Sequence, residues 1–232
     1  QNVKDLFSEM VYHKCEMSSI NDFKLWIEGA NLDYLSDLQR RGEQDYIINI
    51  ILMIINKYGL QEIPIELVNI YIDIVHLGGN YEDAISICEN YLTSFNNEEI
   101  INDKNILRIA IRKIHHSMFC YPVNDLVESA LKLIENEALL EYKDEYGELL
   151  FLIGGNLGLL TGDFEFAEQW LNKAFSYAKQ NNNPDLELRV IRKLVDILSV
   201  RDKTEEALEL CKRYISIDSE LESRYHLYLL GA

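Results

Sequence analysis

Prolines, paired cysteines and flexible linkers are scarce in this sequence, and each scarcity argues against a class of structure. Among its 232 residues there are three prolines, Pro64, Pro122 and Pro184, and each lies where one predicted helix gives way to another. The four cysteines are scattered with no C-x-x-C pair, which argues against a disulfide framework and fits a reducing compartment. Because no Gly/Ser-rich segment divides the chain, we expect a single domain over residues 1–232.

Long apolar runs are missing as well. The most apolar run, residues 47–55, contains Asn49 and is far shorter than the ~20 residues of a membrane span. No signal peptide opens the chain, so we expect a cytoplasmic protein without membrane contact. Because Gln1 is not an initiator methionine, we expect the chain to be the C-terminal fragment of a longer protein.

Basic residues are few: 22 Lys and Arg stand against 39 Asp and Glu, a net charge of −17. A nucleic-acid surface must neutralise phosphates with Lys and Arg, so we expect this fragment to contact no nucleic acid. No Lys or Arg lies between Lys57 and Lys104, whereas basic and acidic residues nearly balance from Lys179 to Arg213. This asymmetry indicates either a plain solvated surface or a charge gradient along a binding groove.

Motifs for catalysis or metal binding are also absent. There is no H-E-x-x-H, and the glycine-rich segment 154–158 lacks the strand and turn that a phosphate-binding loop requires. His115 and His116 are adjacent, so we expect them to point to different faces of a helix and not to share a metal ion. The sequence predicts no enzyme, no cofactor and no metal site.

A repeated pattern is present. Gly79 to Ala84 (GNYEDA) and Gly162 to Ala167 (GDFEFA) each follow an apolar run and place a small residue early in a new helix. Such spaced repeats are typical of stacked helical hairpins. Apolar residues recur at i, i+4 and i+7 after each alanine, and no stretch alternates with period two, so we expect no β-strand.

Aligning Ala84, Ala167 and Ala207 as one structural position defines about five hairpins. Ile47 takes this position in the first hairpin, and either Leu126 or Val127 takes it in the third. Capping helices are expected from Val3 to about Met17 and from about Glu220 to Leu230. The prediction is therefore all-α: a right-handed superhelix of antiparallel hairpins.

The best-formed unit resembles the tetratricopeptide repeat. The matching positions are Phe151, Gly155, Leu160, Gly162, Phe164, Ala167, Leu171 and Ala174, with Gly79, Tyr81, Ala84 and Leu92 in a second unit. The fifth unit has Asp202 in place of the turn glycine, and the period near 40 residues is longer than usual. An acidic array of this period is similar to the regulatory domain of the Rgg, PlcR, NprR and PrgX quorum-sensing regulators.

That resemblance implies a domain that dimerises and binds a short signalling peptide in its concave groove, as the sensor of a cytoplasmic transcription regulator. Two alternatives stay open: a tetratricopeptide scaffold for protein–protein interaction, and a Rap-type inhibitor of a response regulator. We expect a homodimer through the apolar C-terminal end, whose residues are Tyr214, Tyr225, Leu227, Tyr228, Leu229 and Leu230.

The groove-facing positions follow from helical spacing before each close-packed alanine. The predicted peptide-binding residues are Glu66, Asn69 and Asp73 in the second hairpin, Leu152 and Asn156 in the fourth, and Arg189, Arg192 and Asp196 in the fifth. Further positions in the same sets are His76, Leu149, Leu159 and Ser199.

Each of these residue types suits one part of a peptide. Arg189 and Arg192 are spaced to reach one ligand carboxylate, and Asn156 offers a donor and an acceptor to a peptide backbone. Glu66 and Asp73 lie far from any Lys or Arg in the sequence, so we expect them to receive a ligand amine. For Trp26 and Trp170 we expect packing between hairpins.

Overall fold

All regular structure between residues 3 and 217 is helical in the computed structural model, which describes that part of the chain. Side chains are described through Lys212. The predicted all-α class is therefore confirmed for these residues. The predicted superhelix and the C-terminal cap stay predictions, and the apolar C-terminal end proposed for dimerisation lies outside the described side chains.

The chain divides after Cys120 into two compact units. The helices of the first unit are α1 (Val3–Met17), α2 (Ile20–Ile27), α3 (Ala30–Arg40), α4 (Gln44–Tyr58), α5 (Ile65–Leu77), α6 (Tyr81–Leu92), α7 (Asn97–Asn102) and α8 (Lys104–Ser117). Helix α1 has the bounds predicted for it. The hydroxyl of Tyr46 on α4 donates to the Lys4 carbonyl at 2.7 Å, which fastens α1 to α4.

The second unit continues in the same way. Its elements are α9 (Val123–Ile134), a 3₁₀ turn (Glu137–Glu141), α10 (Lys143–Phe151), a π-helical segment (Leu152–Gly158), α11 (Leu159–Thr161), α12 (Phe164–Gln180), α13 (Pro184–Val200) and α14 (Thr204–Ile217). Pro184 begins α13, and its missing N–H costs nothing there because the first turn of a helix has no carbonyl to receive one. The Asn183 side chain caps this helix by accepting from the Leu186 N–H at 3.0 Å.

The predicted close-packed positions are buried. Ala84, Ala167 and Ile47 of α4 are fully inaccessible to solvent, and Ala207 is nearly so. The predicted burial of those four positions is therefore confirmed, while the repeat arrangement that relates them stays a prediction.

The turns that precede these helices follow the sequence pattern too. Gly79 and Gly162 adopt positive φ of 79° and 75°, a backbone region that residues with a Cβ rarely enter. Asp202, which replaces the glycine of the fifth hairpin, also has a positive φ of 58°. Aspartate tolerates this conformation better than most residues, so the turn survives the substitution.

The third hairpin differs from the prediction. Its helices, α8 and α9, fall on opposite sides of the boundary between the compact units. In α9, Leu126 and Val127 are only half-buried, whereas Ala130 is fully buried. The buried position of α9 therefore lies about one turn later than predicted, at the small residue and not at its larger neighbours.

The glycine-rich segment 154–158 forms a π-helical widening that packs against α12. A Cβ atom on Gly154 would lie 2.7 Å from the backbone nitrogen of Leu171, and one on Gly158 would lie 3.0 Å from the Ala167 Cα. The first distance is shorter than real Cβ contacts and the second is tighter than most of them, so glycine lets the two backbones approach closely at these positions.

Candidate functional site

The predicted acidic end of the groove lies on α5 in the first unit. Glu66 is exposed, while Asn69 and Asp73 are half-buried. The sequence suggested that Asp73 has no basic neighbour, and the structure contradicts this. Arg112 of α8 lies 2.9 Å from the Asp73 carboxylate and also donates to the Asn69 carbonyl at 3.2 Å. The prediction failed here because Arg112 lies 39 residues further along the chain and meets α5 only through folding.

Burial and the pair with Arg112 act in opposite directions on the pKa of Asp73. Burial raises the pKa of Asp73, and the guanidinium of Arg112 opposes that rise by charge and by hydrogen bonding. Asp73 therefore has a partner within the protein, and a ligand amine would have to compete with Arg112 for it.

The middle of the predicted groove lies in the second unit. Leu149 and Leu152 were predicted on an exposed face, and the structure instead buries both, Leu152 to 3% exposure. The prediction assumed 3.6 residues per turn, and the π-helical segment that begins at Leu152 changes which side chains face outward. Asn156 and Leu159 remain half-buried.

The predicted basic end lies on α13. Arg189 already forms a bidentate ion pair with Glu148 on α10, in which Nη2 donates to Oε2 at 2.9 Å. Its guanidinium also lies 4.4 Å from the centroid of the Phe151 ring. Arg192 is exposed, and Asp196 is half-buried. Of the two arginines, Arg192 is therefore the one left to meet a ligand carboxylate.

A groove that the sequence analysis did not identify opens in the second unit, among α9, α10 and α12. Its volume is about 670 Å³. Aromatic rings from Tyr146, Trp170 and Tyr177 form its apolar part, and Tyr146 and Tyr177 contact each other at 4.9 Å between centroids. The second helix of the fourth hairpin, α12, contributes most of its residues, whereas the prediction considered only first helices.

Polar side chains follow one face of α12 along this groove. Gln169, Asn172, Ser176 and Gln180 are spaced at i, i+3, i+7 and i+11, and all four are exposed. Lys173 lies between them, with its amine 3.7 Å from the Trp170 ring centroid. Trp170 is partly buried against the core of the second unit and also lines the groove, while its packing between hairpins stays a prediction. The helical spacing of these four polar residues is the feature of the sequence that could have indicated this groove.

Trp26 lies in a second groove, in the first unit. This groove has a volume of about 510 Å³ and is lined by residues of α1 and by Trp26 of α2. Its wall combines two methionines, a leucine and Trp26 with an equal number of polar or charged residues, and it contains no amide side chain.

Three histidines converge in the first unit, contrary to the sequence prediction. His76 on α5 and His115 and His116 on α8 place their ligand atoms within 4.8 Å of one another. Ring centroids lie 4.4 Å apart for His76 and His116 and 5.6 Å apart for His76 and His115. Adjacent residues differ by about 100° around a helix, so a third imidazole from a neighbouring helix can face both.

The most buried of these rings is unusual in its hydrogen bonding. His116 is 3% exposed and both its ring nitrogens lack a hydrogen-bond partner, as does Nδ1 of His76. A buried polar atom without a partner costs about 1–3 kcal/mol. Burial, reinforced by the charges of His76, His115 and Arg112, lowers the pKa of His116 to about 3, so this imidazole is neutral near pH 7.

No helix in the described part of the chain is both long and apolar enough to cross a bilayer. Comparison with protein-family models and with curated protein sequences finds no match.

Proposed function

We propose that this chain is a peptide-binding regulatory domain of a cytoplasmic transcription regulator, and that it binds a short linear peptide in the groove among α9, α10 and α12. The binding part of the proposal is supported by that groove. The regulatory part is supported by the resemblance of the repeats to quorum-sensing regulators.

The observation that carries the proposal is the combination of a row of amides with aromatic rings. An extended peptide presents an N–H and a C=O at every residue, and the side chains of Gln169, Asn172 and Gln180 each offer both a donor and an acceptor. The rings of Trp170 and Tyr177 supply apolar surface for the peptide side chains. A volume of about 670 Å³ is within the range of ligand-binding clefts.

Selection from a library of short peptides tests the proposal. We expect the wild-type protein to enrich a peptide motif, and calorimetry with a selected peptide to show that Trp170→Ala weakens binding by about 2 kcal/mol or more, as for a central aromatic anchor. Trp26→Ala is the matched control, because it makes the same change in the groove of the other unit.

A second pair of measurements examines the predicted polarity of the peptide. Comparing free-acid and amidated versions of the selected peptide on wild type and Arg192→Ala shows whether Arg192 binds its carboxylate. The peptide-binding proposal is refuted if no motif is enriched, as for a scaffold that binds only folded partners, or if Trp170→Ala and Trp26→Ala bind equally well.

A further inference from the structure

We propose that His76, His115 and His116 form a binding site for a divalent transition-metal ion, with Zn²⁺ as the representative ion. The site lies in the first unit and is independent of the peptide-binding groove. Imidazole is a preferred ligand of zinc, copper and nickel, whereas Ca²⁺ and Mg²⁺ select oxygen ligands, and this cluster offers nitrogen.

The geometry is close to what a metal ion requires. Three ligand atoms around a tetrahedral ion with Zn–N bonds of 2.0–2.1 Å lie roughly 3.3 Å apart. The three imidazoles already bring ligand atoms within 4.8 Å of one another. His76 and His115 are half-buried, so we expect rotation of their rings to close that difference.

Two of the three imidazoles carry buried ring nitrogens that have no hydrogen-bond partner. His116 is 97% buried, yet neither of its ring nitrogens has a partner, and Nδ1 of His76 is likewise buried and unpartnered. Natural proteins rarely leave buried polar atoms unsatisfied, so such atoms point to a missing ligand or ion. A coordinated metal would occupy one nitrogen on each of these two rings.

The surroundings favour a cation. His76 lies in the last turn of α5, and His115 and His116 lie in the last turn of α8, so two helix C-termini with partial negative charge meet at the cluster. Arg112, one turn before His116 on α8, is paired with Asp73 at 2.9 Å. The rings of Tyr81 and Phe119 stack at 4.2 Å beside His76 and shield the cluster on that side.

Three protein ligands leave the fourth position of a tetrahedral ion to water or to another small ligand. This arrangement differs from a closed structural zinc site, in which the protein supplies all four ligands. The proposal is therefore a site with an open coordination position.

Zinc competition with a chromogenic chelator tests the site on the full chain. We expect one Zn²⁺ per wild-type chain, a higher Tm in zinc, and at least about tenfold weaker binding for His76→Gln and for His115→Gln. The matched control is His13→Gln, which removes an exposed histidine of α1 and should change neither value. X-ray absorption at the zinc edge should show imidazole nitrogen ligands.

Two results would overturn the proposal. One is wild-type protein that binds no Zn²⁺ in the competition assay. The other is binding that His76→Gln and His115→Gln leave as strong as in His13→Gln. Circular dichroism of each variant shows whether it is folded, and the two half-buried histidines are chosen over His116 because their replacement disturbs the core less.

Discussion

The two compact units pack their helices by different means. The core of the first unit is built largely from isoleucine, and α4 alone contributes Ile47, Ile50, Ile51 and Ile54 at no more than 2% exposure. The second unit instead brings backbones together through small residues. Gly154, Gly158 and Ala167 lie at the contact between the π-helical segment and α12. Ala174 and Ala178, further along α12, are buried in the core of this unit.

This difference determines what each unit tolerates. A core of large branched side chains fills its volume, so it is most sensitive to removal of atoms. A contact between backbones has no room for an added methyl group, so it is most sensitive to added atoms. The substitutions below test the contrast, in order of decreasing expected effect.

Truncation in the first unit should have the largest effect. Ile51→Ala removes a fully buried side chain and leaves a cavity, and we expect it to lower the free energy of unfolding by about 2–5 kcal/mol. Urea unfolding measures this, and Leu52→Ala is the control because Leu52 is the next residue and 37% exposed. Equal losses for the two variants would contradict the assigned core.

Addition in the second unit should have a somewhat smaller effect. Ala167→Leu inserts a larger side chain where even a Cβ on Gly154 or Gly158 would lie 3.0 Å from atoms of Ala167, and we expect a loss of about 1–3 kcal/mol. Ala30→Leu, at an exposed position at the start of α3, serves as the control. An unfolding midpoint for Ala167→Leu equal to that of the wild type would show that this contact is looser than described.

The smallest effect concerns the ion pair that joins α10 to α13. Glu148→Gln removes the charge that engages Arg189, and both side chains are 46% exposed. We expect a loss of about 0.2–1 kcal/mol that shrinks at high salt, because solvent screens exposed pairs. Glu209→Gln removes an exposed charge from the middle of α14, away from the helix ends, and should be nearly neutral. A salt-independent loss would contradict the electrostatic origin.

Much of the local fold could be predicted from the sequence. The bounds of α1, the turn glycines at positions 79 and 162, and the buried Ala84, Ala167 and Ala207 all follow from residues close together in the chain. Helical periodicity and turn chemistry are local properties, so a single sequence reports them.

What could not be predicted depends on residues far apart in the chain. The pairing of Arg112 with Asp73 and the approach of His76 to His116 each join residues about 40 positions apart. The glycines of the π-helical segment pack against α12, and helical periodicity in the sequence does not report a contact of this kind. Leu152 is buried at the start of this segment, where the regular period of 3.6 residues per turn no longer tells which side chains face outward.

The proposed peptide-binding site is the groove among α9, α10 and α12 of the second unit. Hydrogen–deuterium exchange with and without a peptide selected on the wild-type protein tests it most directly. The account predicts slower exchange in α12 between residues 169 and 180 and at the end of α9, with no change in α5 or α8. Protection confined to α13 around Arg192 and to α5 around Asp73, with α12 unchanged, would contradict it and would instead support the groove predicted from the sequence.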